Sequence, residues 1–303
     1  MRSLIFGALA LSFATACQAQ DAAQIELTED EIASALAPNW RDVSPENLVL
    51  IETGYGDIVV ELNPDFAPNH AAQFRKLVQD DVYNGIRFYR VIEAFVAQGG
   101  LQDEETIEQY PTLKNENDRP LSDAAFVPLG NADLFAPMVG HIDGFAVGRS
   151  ETLGTEWLLH CPGALAMARD NDPDSGSTEF YIVLDAQRYL DRNLTVFGRV
   201  IDGMQYVQKL KRGVRAIESG VIQAPDVGDE IMSMTVAADM DPAIRPAYQV
   251  QAMPTQAFED AKTEKRVRDE DFFYRKPPEM LDICGFEVPV RKLPDAEPTP
   301  SSE

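Results

Sequence analysis

Phe88-Tyr89-Arg90-Val91-Ile92 and, two residues later, Phe95-Val96-Ala97-Gln98-Gly99-Gly100 form the most informative stretch of this chain. An arginine stands inside an apolar, aromatic run, and a second apolar run ends in a glutamine and a pair of glycines. One long cation among aromatic side chains suggests a lined cleft with a single hydrogen-bond donor aimed into it. Arg90 and Gln98 are therefore the first candidates for a functional site.

The residues around this stretch are typical of β-structure. Leu48–Thr53 and residues 58–62 are apolar runs separated by turn residues, which predicts a hairpin. Apolar residues recur at helical spacing after Pro68 and over residues 202–210, which predicts two helices. Many strands with two helices predict a mainly β fold, a closed antiparallel β-barrel capped by the helices. Further strands are predicted at residues 88–92, 95–98, 164–168, 179–184 and 194–200.

Composition divides the chain into four segments. Residues 1–19 have the features of a signal peptide, and residues 20–46 form an acidic N-terminal segment. Residues 47–240 are predicted to form the β-rich domain. Residues 241–303 are a C-terminal extension.

Local patterns also occur in the outer segments. Residues 28–36 have a helical pattern, and a highly charged run over residues 258–275 predicts another helix. Residues 281–290 alternate in apolar character, which predicts a short strand. Residues 294–303 are rich in proline, serine and glutamate and are expected to be disordered.

The first residues are typical of an exported protein. Arg2 precedes an apolar run, residues 4–13, which fits a signal peptide and is too short to span a bilayer. Cleavage after Ala16 or Ala19 would release a soluble protein. Alternatively, the lipobox-like sequence ending at Cys17 would make that cysteine the lipidated first residue. Both routes predict an exported, periplasmic protein, and the second adds a lipid anchor as its only link to a membrane.

Charge and motif content exclude several classes of function. The net charge is −24 and the sequence pI is about 4.4, so the surface repels phosphate backbones and lacks a basic patch for anionic lipid. Nucleic-acid binding is therefore not expected. The three histidines lack metal-ligand spacing and no glycine-rich phosphate loop is present, so no metal site and no cofactor are predicted.

Export places the remaining cysteines in an oxidising compartment. Cys161 and Cys284 remain once Cys17 is lipidated or removed, and they permit one intramolecular disulfide. Two separate buried thiols are the alternative, because a sequence does not show whether two Cα atoms lie within bridging distance.

Several ordered motifs resemble those of the cyclophilins, which are prolyl cis–trans isomerases. The resemblance runs from about residue 48 to residue 236. Besides the arginine stretch and the opening hairpin, the matching motifs are Tyr83-Asn84-Gly85, Leu165-Ala166-Met167-Ala168, Ser177-Thr178-Glu179-Phe180-Tyr181-Ile182, Leu190-Asp191 and Val196-Phe197-Gly198-Arg199-Val200.

The resemblance implies a role for each site residue. Arg90 would donate to the prolyl nitrogen, and Gln98 would hold both the arginine and the substrate carbonyl. Ala168 and Arg169 would flank the peptide backbone. The apolar pocket for the proline ring would consist of Phe95, Val96, Tyr181 and Leu190.

Four groove positions depart from the family pattern. Tyr89 replaces a histidine, and Leu194 replaces another histidine near the pocket. Tyr189 replaces the tryptophan associated with cyclosporin binding, so weak affinity for that drug is expected. Glu179 replaces a glutamine, and its charge could pair with Arg90 and compete with substrate.

The segment 101–160 is longer than in compact cyclophilins. It contains Phe135, His141, Phe145 and Trp157. This insert is expected either to cover or extend the groove, or to be a surface elaboration without function.

The resemblance implies a monomeric peptidyl-prolyl cis–trans isomerase that accelerates rotation about Xaa-Pro bonds and assists the folding of exported proteins. Its partners would be proline-containing polypeptides. The alternative is a proline-peptide-binding chaperone module with little or no turnover.

Overall fold

The computed structural model describes residues 39–294. The predicted signal peptide, Cys17 and the helix expected over residues 28–36 lie outside these residues, as does most of the tail expected to be disordered. Among residues 39–294, none of the helices has both the length and the apolar character needed to span a bilayer.

Strands dominate the described chain. In chain order they are β1 (Trp40–Asp42), β2 (Leu48–Thr53), β3 (Gly56–Leu62), β4 (Arg90–Val91), β5 (Val96–Gly99), β6 (Arg119–Pro120), β7 (Val127–Pro128), β8 (Met138–Ile142), β9 (Phe145–Ser150), β10 (Thr155–Leu158), β11 (Ala164–Met167), β12 (Phe180–Val183), β13 (Val196–Asp202), β14 (Ile231–Val236), β15 (Tyr248–Gln251) and β16 (Val290–Lys292). The α-helices are α1 (Pro68–Gln79), α2 (Glu104–Ile107), α3 (Met204–Val207) and α4 (Gln256–Arg266). Short 3-10 helices occupy Pro45–Asn47, Arg188–Leu190, Glu218–Gly220, Ala237–Asp239 and Ile283–Gly285.

The strands form three sheets, so the mainly β prediction is confirmed. The main sheet has eight strands in the order β14-β2-β3-β13-β11-β12-β5-β4, and each neighbouring pair is antiparallel. The insert forms a separate five-stranded sheet in the order β6-β10-β9-β8-β7. Chain segments from both ends form a third, three-stranded sheet in the order β1-β15-β16.

The prediction of a closed barrel is not confirmed. The main sheet is a curled half-barrel, and no strand ladder joins β14 to β4 within the described residues. The two edges are linked instead by isolated pairs, Arg87 with Glu230 and Arg90 with Val221. β4 is only two residues long, and Pro225 in the intervening chain has no N–H to donate, so a regular ladder does not form there.

One face of the main sheet packs on α1 and forms the principal core. Pro68 begins this helix at a position where a missing N–H costs nothing. Phe74, Leu77 and Val78 are buried on its inner face, as the helical spacing predicts. Phe74 packs against Phe180 of β12 with ring centroids 5.4 Å apart. The hydrophobic spacing of α1 therefore correctly predicted its buried side.

A second core joins the insert and the C-terminal extension to the outer face of β2 and β3. Val59 of β3 is buried together with Trp157 of the insert and with Val250 and Phe258 of the extension. The insert and the extension therefore share one apolar interior, which the sequence analysis did not predict.

Three further element predictions need correction. The helix expected over residues 202–210 is a single turn, Met204–Val207, and the charged helix ends at Arg266 instead of continuing to residue 275. Residues 281–290 are mostly not a strand, because only Val290–Lys292 pairs with β15. Their apolar alternation reflects burial of single side chains, such as Phe286, in the second core.

A disulfide joins the extension to the main sheet. Cys161 precedes β11, Cys284 lies in the extension, and their Cα atoms are 4.9 Å apart. Of the two alternatives for these cysteines, the structure contains the bridge. It fixes residues that are 123 positions apart in the chain.

His141 of β8 is buried in the second core and should make the stability pH-dependent. It is 1% exposed, its Nδ1 has no hydrogen-bond partner among residues 39–294, and its ring lies against Phe258 and Phe286. Burial, reinforced by the nearby cations Arg199 and Lys262, lowers its pKa to about 3. In the unfolded chain the histidine pKa is about 6.5.

The unfolded chain therefore binds one more proton than the folded protein between these two pKa values. We expect the free energy of unfolding to be unaffected by His141 above pH 6.5 and to fall by about 2 kcal/mol at pH 5. Urea denaturation at pH 7 and pH 5 measures this change. The glutamine of His141→Gln cannot titrate. The free energy of unfolding of this variant should therefore fall by about 2 kcal/mol less between pH 7 and pH 5 than that of the native protein. An equal loss in both proteins would contradict the prediction.

Candidate active site

Strand register places the candidate residues in one row. In the antiparallel ladders, Arg90 of β4 lies opposite Gln98 of β5, Gln98 lies opposite Tyr181 of β12, and Tyr181 lies opposite Ala166 of β11. Directly opposed residues point to the same face of a sheet. The row therefore lies on the face opposite the principal core, to which the neighbouring Ala97 belongs.

The guanidinium of Arg90 is held at two of its three nitrogens. Nη1 donates to Gln98 Oε1 at 2.9 Å, and Nε donates to the carbonyl oxygen of Ser219 at 2.9 Å. Its Cζ lies 5.7 Å from the centroid of the Phe95 ring. Nη2 has no hydrogen-bond partner among residues 39–294, so both of its N–H groups, on a fixed and half-buried cation, remain available as donors.

Partial burial lowers the pKa of Arg90 from its usual value, and the positive charge of Arg215 lowers it further. The ordinary pKa of an arginine lies so far above neutral pH that the side chain remains charged there.

Glu179 forms hydrogen bonds with Tyr89 and Gln98 and does not pair with Arg90. The Tyr89 hydroxyl donates to Oε1 at 2.7 Å, and Gln98 Nε2 donates to Oε2 at 3.1 Å. Gln98 Nε2 also donates to the Tyr89 hydroxyl at 2.7 Å. The suggestion that Glu179 could pair with Arg90 is therefore wrong, because two neutral donors already occupy the carboxylate. Tyr89 was identified only as a departure from the family pattern, and its role here was missed.

These hydrogen bonds orient the Gln98 amide. A carboxylate accepts hydrogen bonds and donates none, so it faces the nitrogen of the amide and leaves the oxygen toward Arg90. Burial raises the pKa of Glu179, while its bonds from Tyr89 and Gln98 act in the opposite direction. Burial also raises the pKa of Tyr89, so this hydroxyl remains a donor.

We expect the isomerase activity that the resemblance implies to fall at acidic pH through protonation of Glu179. Protonation turns one carboxylate oxygen into a donor, which removes the constraint that directs Gln98 Oε1 to Arg90. The midpoint should lie above pH 4.5, the ordinary glutamate pKa, because burial raises the pKa of this group. Loss of one such hydrogen bond predicts a decrease in kcat/KM of about two- to tenfold.

A pH profile of kcat/KM measured by peptide exchange tests this expectation. Glu179→Gln is the matched variant, since it retains the shape of the side chain but does not titrate. Its profile should be flat over the same range. An acid limb of equal depth in both proteins would exclude Glu179 as its source.

Three of the four predicted pocket residues lie together in one cluster. One apolar cluster contains Phe95, Val96, Tyr181, Ala168 and Leu194. The insert contributes Phe145 and Leu158 to the same cluster, so it packs against these residues. Leu190 is half-buried in the turn that follows β12, and Tyr189 beside it is 60% exposed.

Arg169 is half-buried beside Ala168. Its Nε and Nη2 donate to the carbonyl oxygen of Asn193 at 3.2 and 2.8 Å, and the backbone N–H of Ala168 donates to the carbonyl of Glu179. Ala168 and Arg169 thus border the groove beside Glu179. The guanidinium of Arg169 also fixes the loop that contains Leu194.

A series of hydrogen-bonded polar side chains, buried beneath the groove, ends at the hydroxyl of Tyr181. The Tyr181 hydroxyl lies 2.9 Å from His160 Nε2, and the other ring nitrogen lies 3.2 Å from Asp191 Oδ1. Asp191 also accepts from Arg188, which forms a second ion pair with Asp133 of the insert. The sequence analysis considered His160 only as a metal ligand, although its position just before Cys161 and β11 could have indicated a structural role.

Comparison with known proteins identifies the family. A family model described as "Cyclophilin type peptidyl-prolyl cis-trans isomerase/CLD" matches residues 48–236. A protein of Brucella suis named "Probable peptidyl-prolyl cis-trans isomerase" is 34% identical over 204 residues, which cover 64% of this chain and 85% of that protein. Peptidyl-prolyl cis-trans isomerase B of Bacillus subtilis is 31% identical over 164 residues, 54% of this chain and 89% of the relative.

A solved structure extends the similarity beyond the matched domain. The crystal structure of cyclophilin AquaCyp293 from Hirschia baltica superposes with a TM-score of 0.71 at 28% sequence identity. The match covers 90% of this chain and 100% of that chain, so it includes most of the insert and the extension.

Proposed function

This chain belongs to the cyclophilin-type peptidyl-prolyl cis–trans isomerases, and on that premise we propose that Arg90 is the group through which it accelerates rotation about Xaa-Pro bonds. A peptide bond resists rotation by roughly 18–20 kcal/mol because the nitrogen shares its lone pair with the carbonyl. A donor aimed at the prolyl nitrogen competes for that lone pair and favours the twisted state. No covalent intermediate is needed for this reaction.

The uncommitted Nη2 of Arg90 is the observation that carries this proposal. Its two neighbouring nitrogens are bonded to Gln98 and to the Ser219 carbonyl, and the group lies over Phe95. A guanidinium held in this way presents the N–H groups of Nη2 in fixed directions, without reorganisation during the reaction. The proline ring of the substrate would lie against Phe95, Val96, Tyr181 and Leu190.

Gln98 acts, in this proposal, through the arginine. Both hydrogens of its Nε2 donate within the protein, to Tyr89 and Glu179, and its Oε1 accepts from Arg90. The amide therefore has no free donor for a substrate carbonyl in this arrangement. We therefore propose that Gln98 positions Arg90. The proline itself would be held by the apolar pocket.

We further propose that the enzyme acts on exported proteins and assists their folding in the periplasm. The signal-peptide-like N-terminus supports export. The Cys161–Cys284 disulfide supports it independently, because such bonds persist mainly in oxidising compartments. Whether Cys17 carries a lipid is tested by mass spectrometry of the protein extracted from membranes.

The alternative of a binding module without turnover is not favoured. The relatives are named as isomerases, and the arginine retains a free donor because Glu179 is occupied by Tyr89 and Gln98. NMR exchange spectroscopy of a short Xaa-Pro peptide distinguishes the two. The isomerase should accelerate exchange in catalytic amounts. Binding shifts without acceleration would instead support the chaperone module.

A further inference from the structure

The loop after α3 is hydrogen-bonded to β4, the strand that contains Arg90, and to the residue before it. The backbone N–H of Gly213 donates to the carbonyl of Val91 at 2.7 Å, and that of Ile222 donates to the carbonyl of Tyr89 at 2.9 Å. Between these two anchors, the carbonyl of Ser219 accepts from Arg90. The loop 213–222 thus has a defined position relative to Arg90.

Arg215 on this loop lies at the mouth of the proline pocket. Its Cζ is 5.3 Å from the centroid of the Phe95 ring, the ring that Arg90 approaches at 5.7 Å. The side chain is exposed, whereas Arg90 is half-buried. Its charge is near enough to lower the pKa of Arg90. Two guanidinium groups therefore border one aromatic wall of the pocket.

Arg215 has no ion-pair partner among residues 39–294, although the protein contains 50 acidic and 26 basic residues. Two other arginines near the site do have carboxylate partners. Arg212, three residues earlier, bonds to Glu93 at 2.6 Å, and Arg188 on the other side of the site bonds to Asp133 and Asp191. Arg215 is thus a free cation at the pocket edge of an otherwise strongly acidic protein.

We propose that Arg215 is a specificity-determining residue that favours substrates with an acidic side chain close to the proline. Its guanidinium offers paired donors that match a carboxylate. An extended peptide advances about 3.3–3.6 Å per residue, so a carboxylate within two residues of a proline seated on Phe95 falls within reach of Arg215. This inference rests on the isomerase activity and on the pocket proposed above.

The test compares matched peptides that differ by one charge. Exchange rates are measured for blocked Ala-Glu-Pro-Ala against Ala-Gln-Pro-Ala, and for Ala-Ala-Pro-Glu against Ala-Ala-Pro-Gln, at low ionic strength. We expect kcat/KM to be about two- to fivefold higher for the glutamate peptide of at least one pair, the size of an exposed ion pair. The preference should shrink in 1 M salt, where screening is strong.

Two variants assign the preference to Arg215. Arg215→Gln should bring the glutamate-to-glutamine ratio to about one, and Arg215→Glu should invert it. Arg212→Gln, immediately before this loop, is the matched control, since its guanidinium is already paired with Glu93, and it should keep the native ratio.

The outcomes separate this inference from the proposed function. Equal acceleration of both members of each pair by the native protein would overturn the role of Arg215 and leave the isomerase mechanism intact. An Arg215→Gln variant that loses the same factor on every peptide would also overturn it, since a loss without discrimination indicates a purely structural role. Failure of the native protein to accelerate any peptide would contradict the proposed function itself.

Discussion

Arg90→Ala should reduce kcat/KM for Xaa-Pro exchange by about 100-fold while leaving the fold intact. A hydrogen bond to a charged group contributes roughly 1.5–3 kcal/mol, and removal of one preorganised donor typically costs a factor of about 100 to 1,000. The side chain is half-buried on the face opposite the principal core, so its loss opens no cavity there. Exchange NMR on the variant and the native protein measures the effect.

Two further variants make the result specific. Arg90→Lys keeps the charge but lacks the forked donors that bond Gln98 and Ser219 together, so it should recover only a small part of the rate. Arg87→Ala removes a nearby arginine that is exposed and paired with Glu230, and it should retain nearly full activity. An Arg90→Ala protein that is folded and keeps more than about a third of the native rate would exclude the proposed role of this residue.

Removing the disulfide should lower the free energy of unfolding more than the protonation of His141 does. Cys161→Ser combined with Cys284→Ser frees two residues that are 123 positions apart. A cross-link over so long a loop restricts the unfolded chain strongly, and its loss is expected to cost about 3–5 kcal/mol. The bridge joins the extension to the chain just before β11. The second core should therefore loosen first.

Urea denaturation followed by tryptophan fluorescence measures this loss. Both tryptophans, Trp40 on β1 and Trp157 on β10, lie outside the main sheet, so they report on the region that the disulfide secures. Reductant should destabilise the native protein by the same amount and leave the double variant unchanged. A loss below about 1 kcal/mol would show that packing alone holds the extension.

Local apolar spacing predicted the parts of the fold that depend on neighbours in sequence. The hairpin of β2 and β3 and the buried side of α1 follow from residues only two to four positions apart. Closure of the barrel could not be predicted from such local spacing, because it depends on whether the residues before Glu230 pair regularly with β4. Residues 281–290 show the same limit. Alternation there correctly indicated buried side chains such as Phe286 but not a paired backbone.

The candidate site divides in a similar way. The motif around Arg90 and Gln98 carried enough information to select the reactive residue types and their family. It could not show that Tyr89 and Gln98 would occupy Glu179, because that choice depends on the strand register and on hydrogen-bond distances across the sheet. The sequence likewise could not show that Arg215 has no ion-pair partner among residues 39–294, since it does not indicate which of 50 acidic residues lies near a given arginine.

The sequence by itself determined the chemical groups of this protein, its hydrophobic patterns and its membership of the cyclophilins. Only the tertiary structure decided which partner each polar group takes: Gln98 for Arg90, Tyr89 for Glu179 and Cys284 for Cys161. The physical reason is range. Hydrophobic periodicity relates residues that are only a few positions apart in the chain. Hydrogen bonds, ion pairs and disulfides depend instead on distances of a few ångströms between residues far apart in sequence.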